Sequence, residues 1–452
     1  MTVTDFLLDF CIMSGLLLVS HVIRTRVRLF QNLYIPAPLI AGFLGLFLGH
    51  QFLNVLPFSD AISDYAGVLI SVVFGTMFLG ERRKVSFGSM VKKAGDSFFV
   101  NGAAEIAQFG IFILIGVLVL PLIFPGINES FGLMLPAGFA GGHGTAAAMG
   151  GVFAEHGWDE ATSIGQAFAT IGLLGGIVFG VALVNLGTRK GYTRVLKKVE
   201  ELPEEMRVGL NPPEKRESLG DDTVNSISMD SLTWHGALVL ATTGLAYLIN
   251  HGLAIVLPQI AFPTYGIAII CGIMLQAVLR ALKLDSYVDK RPITHICSCT
   301  TDYLVAFGVA SISINVVVKY AVPIAVLAVL GFACVFFFHF VIAGHFLRNC
   351  WYERSLFIFG QCTGVLATGV LLLRVSDPEF RTGALGDFGL VWLFFTIVDA
   401  LLVALTPTLL LAGWGLPAGI VITLLAVVFL LLSWKMFGVR KFNAAEGVPA
   451  EE

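Results

Sequence analysis

The sequence predicts an all-α polytopic membrane protein with two inverted repeats, each of five spans plus one re-entrant hairpin, and about 11 transmembrane helices. Three observations lead to this prediction: the apolar composition, two glycine-interrupted apolar segments and the placement of the basic residues. The mean hydropathy is +0.85, and only 13% of the 452 residues are charged. A soluble chain carries about 25% charged residues, so most of this chain is expected to lie in a lipid bilayer.

Apolar segments of spanning length, which is about 20 residues, recur along the whole chain. They lie near 6–23, 33–53, 65–80, 97–124, 161–187, 233–257, 262–282, 296–317, 320–344, 384–411 and 416–434. Two further apolar segments, 131–151 and 355–373, are broken by glycine and polar residues. The first repeat therefore covers 1–187 and the second 231–412. A polar linker at 188–230 is predicted to be cytoplasmic, and 413–452 holds an extra span and a tail.

The basic residues predict the orientation of the chain. With the N-terminus outside, every Lys and Arg except Lys319 falls on the inner side, as the positive-inside rule requires. This assignment holds only if 131–151 and 355–373 each return to the side from which they enter. We therefore predict two re-entrant hairpins that dip from opposite faces, with the C-terminus cytoplasmic. Inverted repeats with interrupted segments are typical of secondary transporters, whose sites lie near the bilayer midplane.

The first hairpin contains the stretch AGFAGGHGTAAAMGG from Ala137 to Gly151. Each glycine costs a helix interior roughly 1 kcal/mol relative to alanine, but it lets backbone approach a ligand closely. At bilayer depth, irregular backbone survives only where protein or a water-filled cavity surrounds it. The tip is thus predicted to bind substrate through Gly141, Gly142, His143, Gly144 and Thr145. The alternative is close helix packing by small residues.

The second tip is predicted to complete the substrate site. Its candidate residues are Gln361, Cys362, Thr363 and Gly364. N–H donors and positive helix ends at both tips suit a carboxylate substrate. A Na⁺ ion needs oxygen ligands, and the candidates are Gln108, Thr145, Thr363, Thr368 and Asp399. Alternatively, the hydroxyls of Thr145 and Thr363 only hydrogen-bond to carbonyls of their own helices.

Acidic residues inside membrane segments are costly and usually functional. Glu105 shares a helix face with Asn101 and Gln108, so it is a candidate ion path or a neutral, buried acid. Asp302 is a second candidate for that path or an interfacial residue. Arg374 follows the second hairpin, where it either pairs with a substrate carboxylate or extends to the inner surface.

Several motifs resemble one known family. Gly141 to Ala148, GGHGTAAA, is similar to the first pore-loop motif of the bacterial glutamate:sodium symporters, and Ile35 to Gly42, Phe262 to Thr264 and Phe394 to Leu405 follow the family in order. The second loop departs from the fuller glycine pattern. The resemblance implies Na⁺-coupled symport of glutamate or a related anionic amino acid by elevator-like alternating access. It also implies a homodimer in the bacterial inner membrane.

Two other classes of function remain as alternatives. A passive channel would use the hairpins as a filter, but filters usually arise from loops repeated around one axis. A membrane-embedded enzyme would use His143 or Cys362, yet no nucleophile, base and acid share a depth. The net charge of −3 does not suggest nucleic acid as a partner. No organic cofactor is expected, and the partners are the lipid bilayer and a small carboxylate.

Overall fold

The computed structural model describes residues 3–32, 35–76, 78–80, 87–194, 208, 210, 212–216, 218–256, 264–377 and 382–439. Every regular element in these ranges is a helix. Eight of the described helices are long and apolar enough to cross a membrane, and two shorter apolar helices accompany them. The chain is therefore an all-helical, multi-pass membrane protein, as the composition predicts.

The helices follow one another along the chain with these bounds. The first nine are α1 (Val3–Arg26), α2 (Arg28–Asn32), α3 (Ala37–Leu48), α4 (Ile62–Thr76), α5 (Phe87–Leu114), α6 (Leu120–Ile123), α7 (Met134–Phe139), α8 (Gly142–Ala154) and α9 (Ala161–Lys190). The others are α10 (Ser231–Val256), α11 (Thr264–Ala281), α12 (Lys290–Ala310), α13 (Ile314–Lys319), α14 (Ala321–Phe337), α15 (Gly344–Phe346), α16 (Trp351–Ser376), α17 (Ala384–Leu411) and α18 (Gly415–Phe437). Short π-helical stretches at Ile115–Val119 and Phe338–Ala343 extend α5 and α14.

Two predicted spans differ clearly from their helices. The helix α5 begins at Phe87, well before the segment expected near 97–124. The segment expected near 296–317 is instead α12, which ends at Ala310, followed by the short α13. The side chain of Asp289 caps α12 by accepting the Arg291 N–H at 3.0 Å. Ser313 caps α13 in the same way through the Val316 N–H. Hydropathy averaged over a window does not register a capping bond made by a single polar side chain.

The segment 131–151 folds back on itself against α9. A Cβ atom at Gly138 of α7 would lie 2.5 Å from Ala169 N, and one at Gly150 of α8 would lie 2.5 Å from Thr162 Cα. Met134 at the start of α7 contacts Gly165. Thus α7 runs parallel to α9 and α8 runs antiparallel to it, so the chain reverses between Phe139 and Gly142.

The helix α16 also contains a reversal. Gly364 and Val365 have non-helical backbone, and Val365 lies at φ 62°. A Cβ atom at Gly360 would lie 2.7 Å from both Thr368 O and Gly369 N, so the limbs before and after the turn are in backbone contact. We call them the first and second limbs of α16.

The two limbs run in opposite directions along α9. In the first limb, the Tyr352 hydroxyl donates to Leu183 O at 2.6 Å, and Thr363 contacts Gly172 further toward the start of α9. In the second limb, Leu372 contacts Gly180. The first limb is therefore antiparallel to α9, whereas α7 is parallel to it, and the two folded segments approach each other from opposite ends of α9.

The helices pack as two groups. One group contains α1, α3, α4, α10, α11 and α12, and the other contains α5, α7, α8, α9, α14, α16, α17 and α18. Contacts between the groups are made chiefly by α8, which packs on α4 and α12. Both reversals belong to the second group and face the first group at this boundary.

The Asp289 carboxylate that caps α12 predicts how the stability of the fold depends on pH. Burial raises the pKa of Asp289, but hydrogen bonds from the N–H groups of Arg291 and Asp221, together with the Arg291 guanidinium, outweigh it and lower the pKa to about 2. A lowered pKa stabilises the fold above the unfolded value of about 3.9, and the contribution is lost as pH falls through the folded value. Asp289→Asn should therefore lower the melting temperature at pH 7, and about half of the difference should disappear by pH 3.

Thermal unfolding of the purified protein between pH 7 and pH 3 measures this effect. The variant Asp285→Asn, in the same connection between α11 and α12, is the matched control. A difference for Asp289→Asn that is independent of pH would contradict the assignment of the charge as the stabilising feature.

Candidate functional site

The tips of the two reversals enclose a cavity of about 190 Å³ at the boundary between the helix groups. The first tip supplies Gly141 to Thr145 and the second supplies Gly364 and Val365. The opposite wall comes from α4 and α12. The remaining lining residues are Ile70, Val73, Phe74, Ala169, Leu173, Thr301, Leu304 and Val305.

The two tips touch each other. Gly142 lies at φ 71°, in the left-handed region that glycine tolerates best. A Cβ atom at Gly142 would collide with Cγ1 of Val365. Val365 itself lies at φ 62°, a conformation that is a genuine outlier for a β-branched residue. The tip-to-tip contact therefore depends on glycine on one side and on a strained valine on the other.

The first tip is held by α9. His143 is buried, and its Nε2 lies 3.0 Å from Thr170 Oγ1. The Gln166 side chain donates from Nε2 to the His143 carbonyl at 2.9 Å. Thr145 is also buried and lines the cavity. His143 thus contributes to the cavity wall while its ring is oriented by a neighbouring hydroxyl.

Helix ends at the tips suit an anion. No side chain caps the N-terminus of α8, and this end, at Gly142 to Gly144, lines the cavity. The second limb of α16 begins immediately after Val365, so a second helix N-terminus starts at the other tip. Helix N-termini present unpaired N–H groups and the positive end of the helix dipole. A carboxylate in the cavity would therefore meet N–H donors from both tips.

The second tip is only partly exposed to the cavity. Gly364 lines it, whereas Gln361, Cys362 and Thr363 are buried behind the tip and are not among the lining residues. The Gln108 side chain donates to the Cys362 carbonyl at 2.9 Å. The hydroxyl of Thr363 donates to Phe359 O at 2.8 Å, and that of Thr368 donates to Gly364 O at 2.5 Å. Both threonines thus bond within their own helix, which for Thr363 is the alternative that the sequence left open.

Behind the second tip, residues distant in the sequence meet in one cluster. The Gln361 amide donates from Nε2 to Glu105 Oε2 at 3.0 Å. The Asp399 carboxyl of α17 faces the Glu105 carboxyl of α5. Within the described residues, no group of three or more His, Cys, Asp and Glu side chains has a metal-binding arrangement. The cluster instead combines two acids with amide side chains.

The remaining predicted residues lie apart from this cluster. Asp302 is exposed on α12, next to the cavity-lining Thr301. Arg374 is exposed on the second limb of α16. Sequence reasoning missed the wall formed by α4 and α12, because Ile70, Phe74 and Leu304 have no feature that separates them from apolar residues facing lipid. The polar character of α12, which is not among the eight candidate spans, was the available signal.

Comparison with known proteins adds one match. The model of the sodium/glutamate symporter family matches residues 3–362, which include the whole first tip, Glu105 and Gln361. The match ends two residues before the turn at Gly364. No curated protein matches the chain.

The tip contact predicts a strong effect of one methyl group. Gly142→Ala should reduce [³H]glutamate uptake about tenfold or more, because the left-handed backbone alone costs a non-glycine residue roughly 1–2 kcal/mol and the new Cβ meets Val365. Glutamate is the solute that the matching family carries. Uptake by reconstituted protein provides the measurement.

Gly151→Ala is the matched control in the same helix, since a Cβ atom there has no neighbour within 4 Å. It should retain normal uptake, and both variants should elute as folded protein. Full activity of Gly142→Ala would show that the two tips do not form the site.

Proposed function

The chain belongs to the sodium/glutamate symporter family, and from this premise we propose that it imports glutamate, or a related anionic amino acid, together with Na⁺. Family membership makes the chain a Na⁺-coupled transporter with a small-molecule substrate rather than an enzyme. The finer proposals concern the substrate, its site and the mechanism. The observation that carries them is the meeting of two folded-back segments across one cavity.

In this proposal the substrate binds between the tips. Its carboxylate accepts hydrogen bonds from the N–H groups at the start of α8, where Gly141, Gly142 and Gly144 allow close approach. Thr145 and His143 contribute polar atoms to the same wall. The apolar residues of α4 and α12 exclude water from the other side, which strengthens each hydrogen bond to the anion. Gln361, Cys362, Thr363 and Gly364 shape the second tip.

Alternating access is the proposed mechanism. The repeats 1–187 and 231–412, separated by the linker 188–230, are proposed to be inverted, with hairpins 131–151 and 355–373. The helix group that contains both hairpins would move against the group that contains α4 and α12, in the manner of an elevator. Support comes from the position of the cavity at the boundary between the groups, where a relative displacement would transfer the site from one side to the other.

The membrane potential sets a minimum number of Na⁺ ions that must accompany each substrate molecule if voltage is to assist uptake. Each Na⁺ that moves inward gains about 2.3 kcal/mol per 100 mV, and a singly charged anion loses the same amount. Voltage therefore assists uptake only when at least two Na⁺ ions accompany each monoanion. The proposed oxygen ligands for Na⁺ are those of Gln108, Thr145, Thr363, Thr368 and Asp399, and Glu105 and Asp302 are proposed to lie along the ion path.

The proposal also covers the oligomeric state, the membrane and the orientation of the protein. The resemblance of the first tip to bacterial symporters supports a homodimer in the bacterial inner membrane. The distribution of Lys and Arg supports an external N-terminus and a cytoplasmic linker. It also supports a cytoplasmic C-terminal tail, which follows the last span within 413–452.

Transport by reconstituted protein tests the proposed function. With an inward Na⁺ gradient, proteoliposomes should accumulate [³H]glutamate above equilibrium, because Na⁺ entry drives the anion uphill. Replacing external Na⁺ with choline should abolish accumulation. Failure to concentrate any carboxylate with either Na⁺ or H⁺ would contradict the proposal, and a current that persists without a gradient would indicate the channel alternative.

Reporter fusions test the proposed orientation. A green fluorescent protein fused after Val439 should fluoresce, because it folds in the cytoplasm. Alkaline phosphatase fused after Gly126, in the connection before the first hairpin, should be active because that connection is predicted to lie outside. The opposite pair of results would reverse the orientation and both hairpin directions.

A further inference from the structure

We propose that Glu105 and Asp399, with the amide oxygens of Asn101, Gln108 and Gln361, form one Na⁺ site that orders the second tip. This inference rests on the proposed function, since the family supplies Na⁺ as the transported cation. It goes further by assigning five side chains from three helices to one site. It also separates that site from the cavity in which the substrate is proposed to bind.

The acid pair is the centre of the site. Glu105 is only 3% exposed, and its carboxyl faces that of the half-buried Asp399. Two carboxyl groups this close cannot both carry a negative charge in an apolar interior unless a cation or proton lies with them. Among the described residues, neither carboxyl has a hydrogen bond or ion pair with Lys, Arg or His. Arg354, in the same limb as Gln361, is engaged by Asp96 and Asp387.

Unsatisfied amide atoms on α5 and α16, the helices that Gln361 and Glu105 join, provide an independent observation. Gln361 is 2% exposed, and its Nε2 donates to Glu105 while its Oε1 has no partner. Gln108 is 1% exposed, and its Nε2 donates to Cys362 O while its Oε1 has no partner. Both side-chain atoms of the fully buried Asn101 lack partners. A buried amide oxygen without a donor destabilises the fold, and a bound ligand that contacts these oxygens would remove that cost.

The unsatisfied atoms identify the class of ligand. Three of the four are oxygens, and the Nε2 atom of each glutamine already donates one hydrogen bond. Asn101, Glu105 and Gln108 share one face of α5, at positions i, i+4 and i+7. A set of carboxylate and amide oxygens is the ligand type preferred by hard cations. The site therefore calls for a cation, and an anion would be repelled by the acid pair.

The position of the site explains how Na⁺ would act on the substrate. Gln361 and Cys362 lie two to three residues before the turn at Gly364 and Val365, which lines the cavity. A cation that coordinates Gln361 Oε1 fixes the end of the first limb, and Gln108 fixes the Cys362 carbonyl in the same step. Na⁺ binding therefore orders the second tip and raises the affinity for glutamate. By linkage, glutamate raises the affinity for Na⁺ by the same factor.

Na⁺ titration of the full-length protein in nanodiscs tests the site. The melting temperature is measured as NaCl replaces choline chloride at constant ionic strength, for the wild type and for Glu105→Gln and Asp399→Asn. Each substitution should raise the Na⁺ concentration for half-maximal stabilisation at least about tenfold, the lower end of the loss that follows when metal sites are altered. Asp159→Asn removes an exposed acid that lies outside the proposed ion path; it is the control and should leave the midpoint unchanged.

A binding assay distinguishes failure of the site from failure of the proposed function. At saturating Na⁺, both acid variants should still bind [³H]glutamate, because neither residue lines the cavity. If the variants fold and their Na⁺ midpoints equal that of the wild type, the site is wrong although symport stands. If the wild type shows no Na⁺-dependent glutamate binding, the proposed function itself fails.

Two further measurements settle the remaining outcomes. Gln361→Leu keeps both carboxyls and removes one unsatisfied oxygen, so it should fold and raise the Na⁺ midpoint; an unchanged midpoint would overturn the site even if the acid variants do not fold. CaCl₂ and a change of pH are tested in place of NaCl. Stabilisation of the wild type by Ca²⁺ or by protons, with no response to Na⁺, would also overturn the assignment.

Discussion

The close approach of backbone to α9 is the constraint on which the site depends. Lipid offers no hydrogen bonds, so non-helical backbone at membrane depth must be enclosed by protein. The small surface of α9 provides that enclosure: a Cβ atom at Gly165 would lie 2.6 Å from Met134 Cε, and one at Gly172 would collide with the Thr363 carbonyl. Glycine at these positions allows both folded-back segments to pack against one helix from opposite ends.

Hydrogen bonds and ion pairs then hold in place the two folded-back segments that the glycines allow to pack closely. Gln166 of α9 holds the His143 carbonyl of the first tip, and Gln108 of α5 holds the Cys362 carbonyl near the second. At the far end of the first limb, buried Arg354 bridges Asp96 of α5 and Asp387 of α17. The far end of the limb is thus attached to the two helices that carry the facing carboxyls of Glu105 and Asp399, and its tip end is bonded to α5. A change in the charge of these two carboxyls therefore acts directly on the first limb of α16, which hydrogen bonds and ion pairs hold at both ends.

Sequence reasoning reached the parts of the molecule that have a local signature. Glycine clusters marked the first tip, and hydropathy located most helices to within a few residues, as with Ala384–Leu411. The family was recognised from the Gly141–Ala148 motif, and the family match confirms it. The meeting of Gln361 with Glu105 and Asp399 was out of reach, because no local pattern reports contacts between residues so far apart in sequence. The apolar wall from Ile70 and Leu304 was hidden for a different reason, since apolar residues facing lipid and those facing a cavity look alike.

Val365 bears on how easily the site opens. A valine at φ 62° stores about 1–3 kcal/mol of backbone strain, which the closed arrangement of the tips has to maintain. Relaxation of the turn to an ordinary backbone conformation would release part of that strain energy. In the proposed mechanism this strain would lower the free energy needed to separate the tips, so a smaller difference in ligand affinity between the two arrangements would shift the population.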